Sequence, residues 1–487
     1  MKHALLALGL WLPAAAQVPV APHVSPMAGR WFSGDAAGLT KQLAAAIETA
    51  RKRQGPAPPR KHLAGLIVPH AGIDYSGVVA AEAWGLAATP AKGRTIILLA
   101  FSHKGGVRGV VSPRVSAYST PLGTVNVNRS VAEALGFPQM DEGALCDHSL
   151  ENQLPFLHEL AGPAGFVPLY VGELTASERE AAARKLAARA ALGDLIVAST
   201  DFTHHGRAYG YEPFGAGNDL PENLRNRAQE AFELVGSLNV PLFDEFLGST
   251  GDTICGVEPV RLLMASMRAL ETKRGGVYMR TVDYLNSGQL TRDWTMAVSY
   301  GALAFYPSRA YAVDERDQRA LLGHARATLN SVKPAAIEAK SADLEQRTGA
   351  FVTIKKNGHL RGCIGTLAPQ SNLWATIADR TLAAAQSDPR FPPLTSAEGP
   401  VTLELSLLTP LKRLADWRSW KPGMGAVLTM NERGGLLLPQ IAFENNWGRD
   451  EFLRNLALKA GLPADSYRNP KANLYVFEAQ VFAEPAR

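Results

Sequence analysis

The chain has 487 residues, of which 46% are hydrophobic and 20% charged, and its formal net charge is +5. This length predicts two or three domains, and the composition is ordinary for a globular protein. No Lys/Arg-rich block with interleaved aromatic residues occurs, and no internal apolar run reaches the ~18 residues of a membrane helix. We therefore expect neither nucleic-acid binding nor a membrane span.

The N-terminal stretch MKHALLALGLWLPAAAQ differs from the rest of the chain. An apolar run from Ala4 to Leu12 precedes three alanines, which fits a small-residue cleavage site. The sequence predicts a signal peptide over residues 1–16 and export to the periplasm or the medium. A mildly apolar, uncleaved N-terminus is the alternative, with a cytoplasmic protein as its consequence.

Residues 17–308 are predicted to form one α/β unit. Near-continuous apolar runs indicate buried strands at LAGLIV (63–68), TIILLA (95–100), FVPLYV (166–171) and DLIVAS (194–199). Helical segments separate them, and one opens with Thr175 and Glu178 in the spacing of a capping box. Strands alternating with helices predict a sheet covered by helices on its faces.

Histidines follow three of these predicted strands. His70 comes just after the first strand, His103 just after the second, and Asp201 and His204 just after the fourth. In open α/β sheets the ligand crevice lies beyond the carboxyl ends of the strands. One such histidine is ordinary in a loop, whereas three strand ends that carry histidine predict a shared cleft with a metal or catalytic function.

Further candidates lie in two loops. Cys255, one of three cysteines, precedes a predicted helix, whose N-terminus favours the metal-binding thiolate; the alternative is a buried, inert thiol. His148 and Glu151 stand three residues apart, on one face of a helix. They are candidates to orient ligand histidines, with ordinary capping or surface roles as the alternative.

Residues 309–317 are predicted as a linker, and residues 318–487 as a second unit of α+β type with a largely antiparallel sheet. Two strand-like runs flank Asn357-Gly358, the strongest short hairpin signal. Strict alternation places Arg361 and Cys363 on one face of the second strand, where the guanidinium would lower the thiol pKa. This pair is a candidate second site, with a buried structural cysteine as the alternative.

The motifs PHAGIDYSG, FSHKG, DHSLENQLPF, STDFTHHG and DTICG resemble, in this order, those of the Memo-like family. The resemblance implies the fold of class III extradiol ring-cleaving dioxygenases. It also implies one iron or copper ion at two histidines and a cysteine, which correspond to His70, His103 and Cys255. The family's nearby aspartate and histidine correspond to Asp201 and His204, implied to act in proton transfer or substrate orientation.

The motifs LRGCIGT, SDPRFPPL and VTLELSLL of the second unit resemble the AMMECR-type domain. The combination resembles the AmmeMemoRadiSam system, with its B and A proteins in one chain, and implies a functional link to a radical SAM protein. No CxxxCxxC motif is present, so this chain is not itself the radical enzyme.

Three functions remain open at this point. The first is a metal-dependent oxidoreductase acting on an unidentified small molecule or peptide. The second is a non-catalytic metal- or peptide-binding adaptor, which the same residues would serve. The third and weakest is a zinc hydrolase, since neither HExxH nor GxSxG occurs in the sequence.

Overall fold

The computed structural model describes residues 21–53, 58–59, 61–88, 94–161, 165–331, 333 and 341–485. The predicted signal peptide lies outside the described residues. Within the described ranges, no helix combines the length and the apolar character needed to cross a membrane.

The first unit alternates strands and helices, as its sequence pattern predicts. Its strands are β1 (His23–Val24), β2 (Gly65–Val68), β3 (Thr95–Ala100), β4 (Val110–Pro113), β5 (Ala117–Thr120), β6 (Gly123–Asn126), β7 (Gln139–Met140), β8 (Gly165–Val171), β9 (Leu195–Ser199), β10 (His204–Gly206), β11 (Val277–Asn286) and β12 (Met296–Pro307). Its helices are α1 (Ala36–Arg53), α2 (Ile73–Ala87), α3 (Arg129–Leu135), α4 (Glu142–Leu145), α5 (His148–Glu151), α6 (Leu154–Leu160), α7 (Ala176–Ala191), α8 (Leu220–Gly236), α9 (Val240–Thr250), α10 (Val257–Arg274) and α11 (Ser287–Thr291).

A nine-stranded sheet organises this unit, in the order β10-β12-β2-β9-β3-β8-β4-β7, with β11 pairing with β12. The four central strands β2, β9, β3 and β8 are parallel and coincide with the four predicted apolar runs. Because β2, β9 and β3 are direct neighbours, the loops after their carboxyl ends meet at one edge of the sheet. A small separate sheet has the order β1-β5-β6.

Helices cover both faces of the large sheet, and the alternation of side chains along each strand supplies both cores. In β2, Leu66 and Val68 belong to the core shared with α1 and α2, whereas Ile67 belongs to the core shared with α7, α8 and α10. The predicted capping box at the start of α7 is present, with the Thr175 hydroxyl accepting from the Glu178 backbone N–H.

The second unit contains four helices and eight strands among the described residues. The helices are α12 (Glu315–Ser331), α13 (Leu373–Gln386), α14 (Gln440–Glu444) and α15 (Arg449–Lys459). The strands are β13 (Ala350–Lys356), β14 (His359–Thr366), β15 (Thr402–Leu408), β16 (Lys412–Arg413), β17 (Gly425–Met430), β18 (Arg433–Leu437), β19 (Asn473–Phe477) and β20 (Ala479–Ala483). The segment 309–317, predicted as a linker, includes part of a 3-10 turn at Ser308–Tyr311 and the start of α12.

These strands form two antiparallel four-stranded sheets, β14-β13-β15-β20 and β16-β19-β17-β18. The predicted hairpin is present, with Asn357 and Gly358 at positive φ as a two-residue loop requires. The run NLYVFEAQVF, which alternates as one strand, is divided at Glu478 between the two sheets. The Glu478 backbone N–H donates to Thr409 Oγ1, which lies between β15 and β16 at the same change of sheet.

Polar contacts join the two units. Tyr278 on β11 donates its hydroxyl proton to Glu478 Oε1 at 3.1 Å. Lys412 on β16 forms an ion pair with Glu271 of α10, and Arg413 lies 3.1 Å from Glu233 of α8. Charged and hydroxyl groups therefore contribute to the junction between the two units.

Candidate metal centre

The histidines after the parallel strands meet in one pocket of about 660 Å³ at the carboxyl edge of the sheet. Its lining is polar and aromatic and includes Arg30, Trp31, His70, Asp74, Tyr75, His103, His148, Asp201, His204, Tyr209, Asp293 and Tyr300. The strand order β2-β9-β3 brings these loops together, although they are far apart in sequence.

His70 is held by the end of the neighbouring strand β9. Its backbone N–H donates to Asp201 Oδ1 at 2.8 Å, and its Nδ1 lies 3.0 Å from Ser199 Oγ. Because Ser199 donates its own proton to the Ser149 carbonyl, its oxygen accepts from His70 Nδ1–H. His70 Nε2 therefore carries a free lone pair. Burial, and then the neighbouring His103, lower the pKa of His70 to about 3, which keeps the ring neutral.

His103 is oriented by Asp147, the residue that caps α5. Asp147 Oδ2 accepts from the His103 backbone N–H at 2.6 Å and from its Nδ1 at 3.0 Å. Burial raises the pKa of Asp147, but hydrogen bonds from His103 and Ser149 outweigh it and hold the pKa below its usual value. The ionised carboxylate fixes the His103 tautomer and leaves Nε2 free, the arrangement found behind metal-bound histidines.

His148, the first residue of α5, completes a group of three imidazoles. One nitrogen each of His70, His103 and His148 lies within 4.8 Å of the other two. The His148 ring stacks on Trp31 and on His103, with centroid distances of 4.0 Å in both cases. Burial, and then His70 and His103, lower the pKa of His148 to about 3. A neutral imidazole is the form that binds metals.

Cys255 approaches the same group from the loop before α10. Its Sγ lies 3.3 Å from His70 Nε2 and accepts from the Asp201 backbone N–H at 3.2 Å. The helix N-terminus does not lower the pKa of the Cys255 thiol overall, because burial and the nearby Asp201 carboxylate raise it. A bound cation would oppose both effects and stabilise the thiolate.

Asp201 and His204 face the pocket from the loop after β9. Burial raises the pKa of Asp201 to about 6. His204 Nδ1 lies 3.0 Å from the Thr253 carbonyl, which can only accept, so Nδ1 carries the proton and Nε2 the lone pair. The two side chains can therefore take up or give a proton at Asp201 Oδ and at His204 Nε2.

The structure separates His148 from Glu151, which sequence spacing groups together. His148 lines the pocket, whereas Glu151 lies beside His23 and Cys146 at a second cluster. The residue that orients His103 is instead Asp147, which the spacing of the motif does not single out. Its available signal is local, since an aspartate directly before a short helix is an N-cap.

Arg361 and Cys363 do not act on each other as the alternation predicts. A β-bulge in the hairpin between Gly362 and Leu360 interrupts the alternation at Arg361. The Arg361 guanidinium is bound by Glu398 at 2.6 Å. Burial raises the pKa of the Cys363 thiol. The neighbouring Arg390 side chain acts in the opposite direction but does not outweigh burial.

Asp388 holds the backbone around Cys363, and its replacement provides a stability prediction. Asp388 is buried and accepts from the Cys363 backbone N–H at 2.8 Å and from the Arg390 side chain. The hydrogen bond from Arg390 lowers the pKa of Asp388. A lowered carboxyl pKa contributes stability that is complete above the unfolded value of about 3.9 and is lost as the pH falls through the folded value.

We therefore expect Asp388→Asn to lower the free energy of unfolding by about 1–3 kcal/mol near neutral pH, measured by urea denaturation. The difference from the wild type should shrink as the pH falls below about 4. Asp379→Asn, which removes an exposed partner of Arg380, is the matched control and should change little. A difference for Asp388→Asn that does not depend on pH would contradict the assigned charge.

Comparison with known proteins shows two family matches in sequence. Residues 24–304 match the family described as Memo-like protein, and residues 322–482 match the family AMMECR1. The protein memo-1 homolog of Caenorhabditis elegans is 29% identical over 58% of this chain and 82% of its own length. A protein of Methanothermobacter thermautotrophicus is 43% identical over 28% of this chain and 77% of its own length. The crystal structure of an uncharacterized protein from Pyrococcus horikoshii aligns with a TM-score of 0.34 and 30% identity, over 36% of this chain and 94% of that one.

Proposed function

Because this chain belongs to the Memo-like protein family through residues 24–304 and carries an AMMECR1 domain behind them, we propose a metal-dependent oxidoreductase. Its metal would be one iron or copper ion bound by His70, His103 and Cys255. The observation that carries the proposal is the convergence of His70 and His103, whose Nδ1 atoms are both hydrogen-bonded, with the Cys255 sulfur beside His70 Nε2.

The distance between two of the donor atoms supports a transition metal. Zinc-like bond lengths of about 2.1 Å to nitrogen and 2.3 Å to sulfur place two tetrahedral ligands about 3.6 Å apart. His70 Nε2 and Cys255 Sγ are 3.3 Å apart, so both can reach one ion with little movement. Imidazole suits iron, copper and zinc, and thiolate favours the softer metals.

His148 is the competing third donor, because it belongs to the group of three imidazoles within 4.8 Å. Its ring is stacked between Trp31 and His103, however, which is the environment of a residue that packs the wall of the site. Cys255 is instead directed at His70 Nε2. We therefore assign Cys255 as the ligand and His148 as a positioning residue.

The metal and the side chains of the pocket would contribute different parts of the reaction. A bound iron or copper ion would supply one-electron redox chemistry and open coordination positions. Asp201 and His204 would exchange protons with a substrate at the carboxylate and at Nε2. A pocket of about 660 Å³ has the size of a small-molecule site, and Tyr75, Tyr209 and Tyr300 offer it aromatic surface.

The AMMECR1 domain and the cellular setting complete the proposal. The two units would act together on a small molecule or a peptide, and the resemblance of the pair to AmmeMemoRadiSam proteins supports a functional link to a radical SAM protein. Cleavage of the leader at residues 1–16 would place the protein in the periplasm or the medium. A protein that keeps the leader would stay in the cytoplasm.

The test is the metal content of protein purified without added metal, for the wild type, Cys255→Ser and His148→Gln. We expect near-stoichiometric iron or copper in the wild type and in His148→Gln, and at least tenfold less in Cys255→Ser. Oxygen uptake with phenolic substrates then tests turnover. Loss of metal in His148→Gln alone would make His148 the third ligand.

Other outcomes separate the competing functions. Tight iron or copper binding without turnover would favour the adaptor. Colourless protein loaded with zinc would favour the hydrolase. A wild type that neither contains metal nor takes it up on titration would overturn all of the metal-dependent functions and leave the pocket as a binding surface.

A further inference from the structure

A second cluster of metal-binding side chains lies outside the pocket. His23 comes from β1, Cys146 from the short connection between α4 and α5, and Glu151 from the end of α5. One potential ligand atom of each lies within 4.8 Å of the other two. We propose that His23 Nε2, Cys146 Sγ and the Glu151 carboxylate form a second metal site, which takes a zinc ion.

The Glu151 carboxylate is the strongest indication that a cation binds here. Its side chain is fully buried, and its Oε1 lies 3.3 Å from His23 Nε2. Its Oε2 is also buried and has no hydrogen-bond partner among the described residues. An unpaired, buried carboxylate oxygen is costly, and a cation bound between the three side chains would remove that cost.

The donor set is one that zinc accepts. Imidazole nitrogen, thiolate sulfur and carboxylate oxygen are its three protein ligand types, and three of them leave a fourth position for water. His23 Nδ1 faces Glu142 Oε1 at 3.8 Å, so a carboxylate stands behind the ligand histidine. On binding, the Cys146 thiol would release its proton to solvent and any proton on His23 would leave with it.

The site would connect the N-terminal strand to the wall of the pocket. Cys146 is followed by Asp147, which orients His103, and by His148, which stacks on His103. A zinc ion on Cys146 and Glu151 would therefore clamp both ends of the segment that positions these histidines. This role is structural and does not depend on which metal the pocket holds.

The test uses the full-length chain freed of metal by chelation and titrated with Co²⁺, a spectroscopic substitute for zinc. Because the proposed pocket site contains the Cys255 thiolate, the titration is made in the Cys255→Ser background. We expect a thiolate-to-cobalt charge-transfer band in the near ultraviolet that persists in this background and in Cys255→Ser/Cys363→Ser. The band should disappear in Cys255→Ser/Cys146→Ser.

Zinc provides the second measurement. In the Cys255→Ser background zinc should raise the thermal unfolding temperature, since it binds only the folded state, and added Cys146→Ser should reduce the increase. His23→Gln and Glu151→Gln, near in shape to the native side chains, should each weaken zinc binding by at least ~10-fold in competition with a chromophoric chelator. Circular dichroism of the metal-free variants checks their fold.

Two results would overturn the site: no cobalt–thiolate band in the Cys255→Ser background, or a band that survives Cys146→Ser. The cluster would then be a buried His23–Glu151 ion pair. Because the Cys255 thiol is absent throughout, failure of this site and failure of the pocket's metal site are distinguishable.

Discussion

Replacing His103 by alanine should weaken metal binding in the pocket by more than ~100-fold, because loss of a residue behind a ligand already costs about 10–100-fold. His103 keeps Nε2 free, and its side chain is 35% exposed, so the fold should tolerate the change. Metal content of the purified variant and competition with a chelator measure the loss.

Two further variants serve as comparisons for His103→Ala. Asp147→Asn keeps His103 but weakens the hydrogen bond to its Nδ1, so an intermediate loss of about 10–100-fold is expected. His359→Ala removes an exposed histidine of the second unit and should leave the metal content unchanged. Wild-type metal content in His103→Ala would remove His103 from the ligand set.

Replacing Trp84 by alanine should destabilise the first unit by about 3–5 kcal/mol through the lost apolar burial and the cavity left behind. Trp84 is fully buried in the core on the α1 and α2 side of the sheet. Its Nε1–H also donates to Gln153 Oε1 at 2.8 Å, and Gln153 in turn donates to Pro69 O and Ser199 Oγ, the atoms around His70. Urea denaturation followed by circular dichroism measures the loss, and weaker metal binding should accompany it.

Trp84→Phe separates the two contributions. Phenylalanine refills most of the volume but leaves the Gln153 oxygen unpaired, for an expected cost of about 1–3 kcal/mol. Leu192→Ala, at a side chain that is 77% exposed, is the control and should have little effect. Equal stability of Trp84→Ala and Leu192→Ala would show that the core does not depend on Trp84.

Local sequence pattern predicts much of this fold. The four parallel strands are continuous apolar runs, since both of their faces are buried. The α7 capping box and the Asn357-Gly358 hairpin depend only on neighbouring residues. The division of the last alternating run at Glu478 was not predictable, because the residue that Glu478 contacts there, Thr409, is far away in sequence.

The candidate site, like the fold, is only partly predictable from the sequence. Histidines after adjacent strands can be recognised from sequence, since parallel strands bring their carboxyl ends together. The roles of Asp147 and Glu151 depend on the direction in which each side chain leaves a four-residue helix and its cap, which spacing alone does not give. The cluster of His23, Cys146 and Glu151 requires the pairing of β1 with β5. Because β1 has only two residues, no periodicity in the sequence reveals it.

The position of β12 in the sheet has a consequence for biosynthesis. This strand is the last of the first unit, yet it pairs with β2, near the start of that unit. Until Pro307 has left the exit tunnel, the edge of β2 that pairs with β12 in the finished sheet therefore stays open. Open apolar edges invite pairing with other chains, and contacts this distant in sequence form slowly. The large sheet of the first unit can therefore be completed only after β12 has been synthesised.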